Sequence, residues 1–328
     1  MKLSDFDYDL PKELIAQKPV RPRDSSRLMV LGRNIEHRKF HDILQYLEKG
    51  DVLVINSTKV IPAKLSGAKP TGGKVDVVLT RKIKRLVYEA TLGIKRPKVG
   101  MVITIKDNSF TILSFSNSLF TIKFNKEPDL RSIGKTPLPP YIKQEALLED
   151  YQTVYARESG SAAAPTAGLH FTEELLKKIR MKGVEIAKII LHIGPGTFMP
   201  VKTEVISEHI MHREHYSVSS EAAKAINERK GRLIAVGTTS IRCLESSADE
   251  KGRVEPGSGW TDLFIYPGYR FRCRPDALIT NFHLPKSTLI MLVSAYAGKE
   301  RVFSAYQAAI KEKYRFYSFG DAMLIFSV

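Results

Sequence analysis

The sequence predicts an α/β fold, in which a discontinuous main α/β domain is interrupted by an inserted small antiparallel β-barrel domain. Three observations carry this. Strand–loop–helix units occupy both ends of the 328-residue chain. Residues 61–140 show instead short alternating apolar runs between turn residues. The same stretch holds 15 Lys and Arg against 5 Asp and Glu, so +10 of the net charge of +16 falls there. The boundaries that follow are 1–60 and 151–328 for the two parts of the main domain and 61–150 for the insertion.

Each element has its own reason. Phe40, Ile43, Leu44 and Leu47 keep the spacing of one helical face, and Gly50 stops that helix. Asp51–Asn56 follows as a buried strand. Lys74–Leu79, Met101–Ile105 and Leu119–Phe124 are the barrel-type strands. Pro137-Leu138-Pro139-Pro140 closes the insertion as a stiff, polyproline-like exit. Thr172 caps a helix with Glu173 and Glu174 in its first turn, Leu175, Leu176 and Ile179 on one face, and Gly183 as its stop. Val184–Ile193 reads as a strand, and Ser219 or Ser220 opens a helix through Lys230 that ends at Gly231. Arg232–Val236 is the next strand, Gly237-Thr238-Thr239 the turn after it, and Ser240 opens a further helix.

Composition narrows the class. No apolar run approaches the ~20 residues of a membrane span, and the first residues lack a signal-peptide core. Cys243 and Cys273 alone can build neither a disulfide framework nor a thiolate metal cluster. The expectation is a cytoplasmic protein with no membrane contact, and a monomer. The basic excess suits a polyanion, or simply a lysine-rich surface. No Walker A loop is present and no Gly-x-Gly-x-x-Gly follows a strand, which disfavours ATP hydrolysis and nicotinamide chemistry.

Chemistry concentrates in four loops. Ala162-Ala163-Ala164-Pro165-Thr166-Ala167-Gly168-Leu169-His170-Phe171 leaves little side chain, so backbone can approach a ligand, and a histidine stands just before the helix opened by Thr172. Leu191-His192-Ile193-Gly194-Pro195-Gly196-Thr197-Phe198 is a second loop. Val236-Gly237-Thr238-Thr239-Ser240-Ile241-Arg242 is a third, with helix-terminal amides suited to a carboxylate or phosphate. Thr280-Asn281-Phe282-His283-Leu284-Pro285-Lys286-Ser287-Thr288 is the fourth. In open α/β folds such loops lie where ligands bind. His209, His212 and His215 recur every third residue beside Glu208 and Glu214, which raises metal binding, but no His-Glu-x-x-His is present and the expectation is no metal. Arg21, Arg23 and Arg27 form a compact basic cluster around Asp24. Tyr314 to Asp321 interleaves aromatic and polar residues, where Tyr314 or Tyr317 could stack on a base.

Taken together, Tyr151-Gln152-Thr153-Val154-Tyr155-Ala156 and the Ala-Pro-Thr-Ala-Gly-Leu-His-Phe, Leu-His-Ile-Gly-Pro-Gly-Thr-Phe and Thr-Asn-Phe-His-Leu-Pro-Lys-Ser-Thr runs resemble the QueA family. These are the S-adenosylmethionine:tRNA ribosyltransferase-isomerases of queuosine biosynthesis. The resemblance also takes in Pro11–Gln17, Arg23–Leu31, Gly50–Leu65, Pro137–Ile142, His209–Glu214 and Tyr314–Leu324, and so runs end to end. It implies an α/β domain with an inserted β-barrel and S-adenosylmethionine as ribosyl donor. The acceptor would be a tRNA carrying 7-aminomethyl-7-deazaguanine at the wobble position, with release of adenine and methionine. Two departures stand out: Asn56-Ser57-Thr58-Lys59 where the family has Asn-Asp-Thr-Arg or Asn-Asp-Thr-Lys, and a loose match over Arg81–Ser132.

These substrates set the roles. A sulfonium acidifies the adjacent C5′ protons, so a base can remove one. The expected catalytic groups are His170, His192, His283 and Lys286, one imidazole acting as base or acid. Thr166, Gly168, Gly196, Thr197, His212, Glu214, Thr238, Thr239, Arg242, Asn281, Arg315 and Asp321 are the expected substrate contacts, with Thr238, Thr239 and Arg242 holding the methionine carboxylate or another anion. Arg21, Arg23, Arg27, Lys82, Lys84 and Arg85 are expected on tRNA phosphates. Read from residues alone, a non-catalytic RNA-binding protein, a metal-dependent hydrolase on His209, His212 and His215, and a methyltransferase stay open.

Overall fold

A computed structural model describes residues 1–116, 119–144, 147–194 and 201–327. Strands β1 (Arg27–Leu31) and β2 (Ile35–Lys39) form a hairpin, followed by β3 (Val52–Asn56) and the short β4 (Thr58–Val60). Six strands then close a barrel: β5 (Lys64–Ala68), β6 (Lys74–Lys84), β7 (Val87–Gly93), β8 (Val102–Ile105), β9 (Asn108–Ser116) and β10 (Leu119–Phe124). One helical turn, α1 (Leu130–Ile133), leads back to β11 (Glu158–Ser161), which pairs with β4.

The second half alternates: α2 (Glu173–Met181), β12 (Glu185–Leu191), β13 (Glu214–Val218), α3 (Ser220–Asn227), β14 (Leu233–Val236), α4 (Thr238–Ser247), β15 (Gly257–Thr261), β16 (Ala277–Asn281), α5 (Thr288–Ala297), α6 (Lys299–Lys311) and β17 (Ala322–Phe326). The main sheet has nine strands in the order β15-β13-β12-β3-β14-β16-β17-β1-β2. The predicted fold class, an α/β sheet interrupted by an antiparallel barrel, is therefore the observed one.

Why β3 lies at the heart of this sheet follows from its sequence. Val-Leu-Val-Ile-Asn has no polar side chain before its end, and all five residues are buried. Val52 and Val54 enter one core while Leu53 and Ile55 enter the core on the opposite face. A parallel strand covered on both faces needs that unbroken apolar run. β6 is the opposite case: Val75, Val77 and Leu79 point into the barrel and alternate with Lys74, Asp76 and Val78, so only one face is fully buried.

Three local expectations change. Phe40–Tyr46 winds as a 3₁₀ helix, short and tight, with Phe40 and Ile43 buried. The helix from Ser220 stops at Asn227, three residues before Lys230. Thr238 and Thr239 belong to the first turn of α4 and not to the turn before it, because Gly237 at φ +87° reverses the chain directly into the helix.

β12, β3, β14 and β16 run parallel as neighbours. After β3 the chain reaches β12 on one side, then crosses to β14 on the other. Such a switch leaves a crevice at the carboxyl ends of the strands. Asn281 and Gly237 end β16 and β14 there, and Ile193 lies two residues beyond the end of β12.

Candidate active site

A cleft of about 630 Å³, its mouth included, opens at this switch point. Ala163, Ala164, Pro165, Thr166 and Ala167 form one wall, and Gly237, Thr238 and Thr239 a second. Thr280–Leu284 forms the third, and Tyr141, Tyr317 and Ser318 close the rim. Of the residues expected from sequence, Thr166, Thr238, Thr239, Asn281 and His283 line this cleft.

His283 is buried, and burial pushes its imidazole down to about 3, so it is neutral at pH 7. Its Nε2 lies 2.8 Å from Thr280 Oγ1. The backbone around it is pinned as well: its N–H donates to Tyr306 Oη at 2.8 Å, and its carbonyl accepts from Tyr8 Oη. The Nε2 of the ring is thus engaged by Thr280.

His170 stands behind the wall. Asn281 Nδ2 donates to His170 Nε2 at 3.1 Å, so the ring proton sits on Nδ1, 2.8 Å from Ser26 Oγ. Thr166 Oγ1 donates to Asn281 Oδ1 at 2.8 Å. The ring also stacks on Phe40 at 4.9 Å. Burial, then Arg315 and Arg23, hold its pKa down to about 3. Both ring nitrogens are thus hydrogen-bonded, His170 is not among the residues lining the cleft, and its Nε2 holds the Asn281 amide. Gly168 is a packing position too: a Cβ there would lie 1.9 Å from Tyr155 Oη.

At the mouth of α4 the amides of Thr238 and Thr239 have no intrahelical acceptor, whereas that of Ser240 already donates to the Gly237 carbonyl. Thr239 Oγ1 is buried without a hydrogen-bond partner among the described residues, and Thr239 is one of the residues lining this cleft. Tyr317 holds φ +73°, an uncommon conformation for a bulky side chain, and its ring stands 4.7 Å from that of Tyr141. Tyr141 Oη and Ser318 Oγ are 2.7 Å apart. The rim thus presents two aromatic rings above a neutral imidazole, a fixed amide and a helix N-terminus. That set can take a flat base, a cation and a carboxylate.

Other expected residues lie elsewhere. His192 does not line the cleft: Ile193 does, and strand alternation turns His192 away, onto Gly160, Thr58 Oγ1 at 2.8 Å and the ring of His215 at 5.8 Å. Lys286 also lies outside, paired with Asp7 at 2.6 Å on the surface. Arg242 is paired in the interior with Glu214, whose other oxygen accepts from Gly194 N–H at 2.9 Å. Arg242 is not among the residues lining the cleft, Nη1 facing Glu214 and Nε the Leu263 carbonyl, while Nη2 has no hydrogen-bond partner among the described residues. Arg242→Ala removes the cation facing the buried Glu214 carboxylate and is expected to cost about 3–5 kcal/mol in urea unfolding. An unchanged midpoint would show that Glu214 finds another partner.

Asp321, also buried, accepts from the amides of Arg27 and Arg315 at 2.9 and 2.8 Å. Arg315 caps the carbonyls of Lys18 and Phe319. Both residues shape the turn that carries Tyr317 and leave no group to the cleft. His212 is exposed, and 209–213 are irregular, leading into β13, so the three histidines do not share a helical face. His209 packs on Phe264 and His215 on Trp260 instead. No group of metal-ligating side chains forms among the described residues. Ser57 donates to the Ile189 carbonyl at 3.2 Å, outside the cleft. Gly196 and Thr197 lie outside the described residues.

The basic residues divide in the same way. Arg23 clamps the carbonyls of Gln152 and Glu149, Arg27 covers the Tyr314 ring at 3.7 Å while bonding the Glu312 carbonyl, and Arg21 pairs with Asp150. Their donors close the fold. Tyr314 is thereby buried under Arg27 and is no stacking platform. Lys82 pairs with Glu127, whereas Lys84 and Arg85 line a small barrel groove with Lys123 and have no carboxylate partner among the described residues.

Comparison with known proteins decides what this site belongs to. Residues 3–325 match the family model described as queuosine biosynthesis protein. The chain belongs to that family. A relative from Thermosipho melanesiensis is 55% identical over 336 residues, covering 99% of this chain and 100% of its own. One from Desulforamulus reducens is 52% identical over 341 residues, with coverage of 99% and 100%. Both carry the name S-adenosylmethionine:tRNA ribosyltransferase-isomerase. A crystal structure of S-adenosylmethionine tRNA ribosyltransferase from Thermotoga maritima is similar at 41% identity and a TM-score of 0.57, covering 98% of this chain and 100% of that one. Within this queuosine family chain, Tyr141, Ser318 and Thr280 are cleft residues to which sequence reasoning gave no individual role, though Thr280 and Ser318 lie in stretches it singled out. The signals for Tyr141 were its place just after the proline-rich exit and its inclusion in the Pro137–Ile142 stretch that carries the resemblance.

Proposed function

We propose that this chain transfers the ribosyl portion of S-adenosylmethionine to the aminomethyl group of 7-aminomethyl-7-deazaguanine at the tRNA wobble position. The sugar is isomerised to an epoxycyclopentane, and adenine and methionine are released, giving epoxyqueuosine. S-adenosylmethionine is a co-substrate, and the reaction belongs to the cytoplasm, where tRNA is modified. The observation that carries this reading is the cleft at the switch point, with His283 neutral and buried in its wall, in a chain matched to this family over residues 3–325.

The geometry supports the following roles. The amides of Thr238 and Thr239 and the unpartnered Thr239 Oγ1 receive the methionine carboxylate, which the helix N-terminus favours electrostatically. The sulfonium then lies toward the Thr280–Leu284 wall, and His283 Nδ1 takes the C5′ proton that the sulfonium acidifies. The imidazolium so formed can return its proton to the departing adenine ring. Tyr141 and Tyr317 flank a planar base at the rim. His170 is a positioning residue, since its Nε2 sets the rotamer of Asn281 and through it Thr166.

The test is a product assay with S-adenosylmethionine and tRNA bearing the aminomethyl-deazaguanine base. Adenine and methionine are expected together, with a mass gain on the tRNA. S-adenosylhomocysteine in their place would replace ribosyl transfer by methyl transfer, and tRNA binding without turnover would leave an RNA-binding protein.

A further inference from the structure

Apart from the cleft, a second depression runs along the junction of barrel and main sheet. It has about 2230 Å³ of open space and is lined by residues of both parts. Lys59 comes from β4, Lys64 from β5, Arg131 from α1, and Lys143 from the segment that returns to the main sheet. All four are exposed. None has an ion-pair partner among the described residues, and no Asp or Glu of those residues lines the groove. The floor is apolar, with Leu138, Pro139, Pro140 and Ile142, and Leu147 stands 68% exposed at its edge.

The groove is tied to the cleft by one short segment. Leu138, Pro139, Pro140, Ile142 and Lys143 line the groove, while Tyr141, in their midst, lines the cleft. Ile142 also packs in one cluster with Ala164, a residue of the cleft wall. A strand lying in the groove is thus separated from the reactive pocket by the thickness of a single chain segment. Uncompensated cations on four separate elements, above an apolar ledge, suit a backbone of regularly spaced phosphates with sugars and bases between them.

We propose that this inter-domain groove seats the sugar–phosphate backbone of the tRNA anticodon loop on Lys59, Lys64, Arg131 and Lys143, with Tyr141 dividing the backbone from the extruded wobble base. The inference rests on the tRNA reading of the cleft. It moves the main phosphate contacts from Lys82, Lys84 and Arg85 on the barrel wall to the junction. Extrusion is required because chemistry on an exocyclic group needs the base out of its stack.

The experiment compares two full-length variants, Lys59→Gln/Lys64→Gln/Arg131→Gln/Lys143→Gln and Lys82→Gln/Lys84→Gln/Arg85→Gln. tRNA binding is read by anisotropy between about 50 and 200 mM salt. The groove variant is expected to lose at least tenfold in affinity at the low-salt end. Its plot of log affinity against log salt should flatten by about 3, since each lost single-strand phosphate contact removes about 0.7. Its affinity for S-adenosylmethionine, measured by calorimetry, should match wild type and so report an intact fold. An unchanged slope in the groove variant, with the loss appearing in the barrel variant, overturns the groove and leaves the proposed reaction standing. A wild-type chain that binds no tRNA overturns both.

Discussion

Replacing His283 by Gln is expected to lower kcat by about 10²–10⁴-fold while leaving S-adenosylmethionine affinity within a few-fold of wild type. The size follows from the role, because a positioned base contributes that much when the proton it takes is otherwise given to water. The direction of transfer follows from burial. An imidazole held at about 3 is unprotonated across the working range, so it can accept a proton but has none to donate at the outset. The acid limb of the kcat/KM profile should accordingly show no group near 6.5 that disappears in the variant. Gln keeps a polar group near Thr280 Oγ1, so the 2.8 Å contact there is not simply deleted. The measurement is single-turnover adenine release against pH, with affinity measured separately. Retention of kcat within threefold would remove His283 from the proton path, and an equal loss in His170→Gln would point to the wall as a whole.

How much of this site was readable in advance depended on whether a residue's partner lies nearby in the chain. Thr166, Thr238, Thr239, Asn281 and His283 sit in loops whose small or turn-forming neighbours advertise close backbone approach, and all five line the cleft. Charge was less informative. Arg23, Arg27 and Lys286 look available in sequence, yet their donors end on the carbonyl of Gln152, the carbonyl of Glu312 and the carboxylate of Asp7. Those partners lie more than a hundred residues away, and no local pattern encodes them. The spacing of the histidines at 209, 212 and 215 was uninformative for a different reason. Their spacing of three suggests a ligand set only on a helix, and the stretch is irregular chain entering β13, where alternation and packing separate the rings.

The fold divides along the same line. β3 and the barrel strands were legible because burial on two faces, or on one, writes itself into an unbroken or an alternating pattern. Phe40–Tyr46 shows the helical spacing but winds as 3₁₀, a difference of one residue in hydrogen-bond step that apolar periodicity over eight residues does not resolve. Tyr141 was hidden most deeply. It follows a proline-rich exit that looks like a spacer, and it becomes a cleft wall only when Tyr317, at φ +73°, turns to meet it from the other end of the chain.

The same buried imidazoles are expected to make the protein acid-sensitive well above the range of its carboxylates. His170 and His283 hold pKa values of about 3 in the folded chain, against about 6.5 when unfolded. Between those limits the unfolded chain binds more protons, so stability rises with pH and falls as pH is lowered. The contribution is complete above about 6.5 and declines until the folded groups themselves titrate near 3. Each group costs up to about 1.4 kcal/mol per pH unit in that window, so the pair removes roughly 3 kcal/mol between pH 6.5 and 5. A domain with only ~5–15 kcal/mol of stability loses a large share of it there. Urea midpoints taken from pH 7 to 5 should fall steeply for wild type. They should fall with a slope reduced by about two protons in His170→Gln/His283→Gln, whatever that variant's stability at pH 7. Parallel slopes in the two proteins would mean that these rings are hydrated enough to titrate in place, and the cleft wall would then be open to water on both sides.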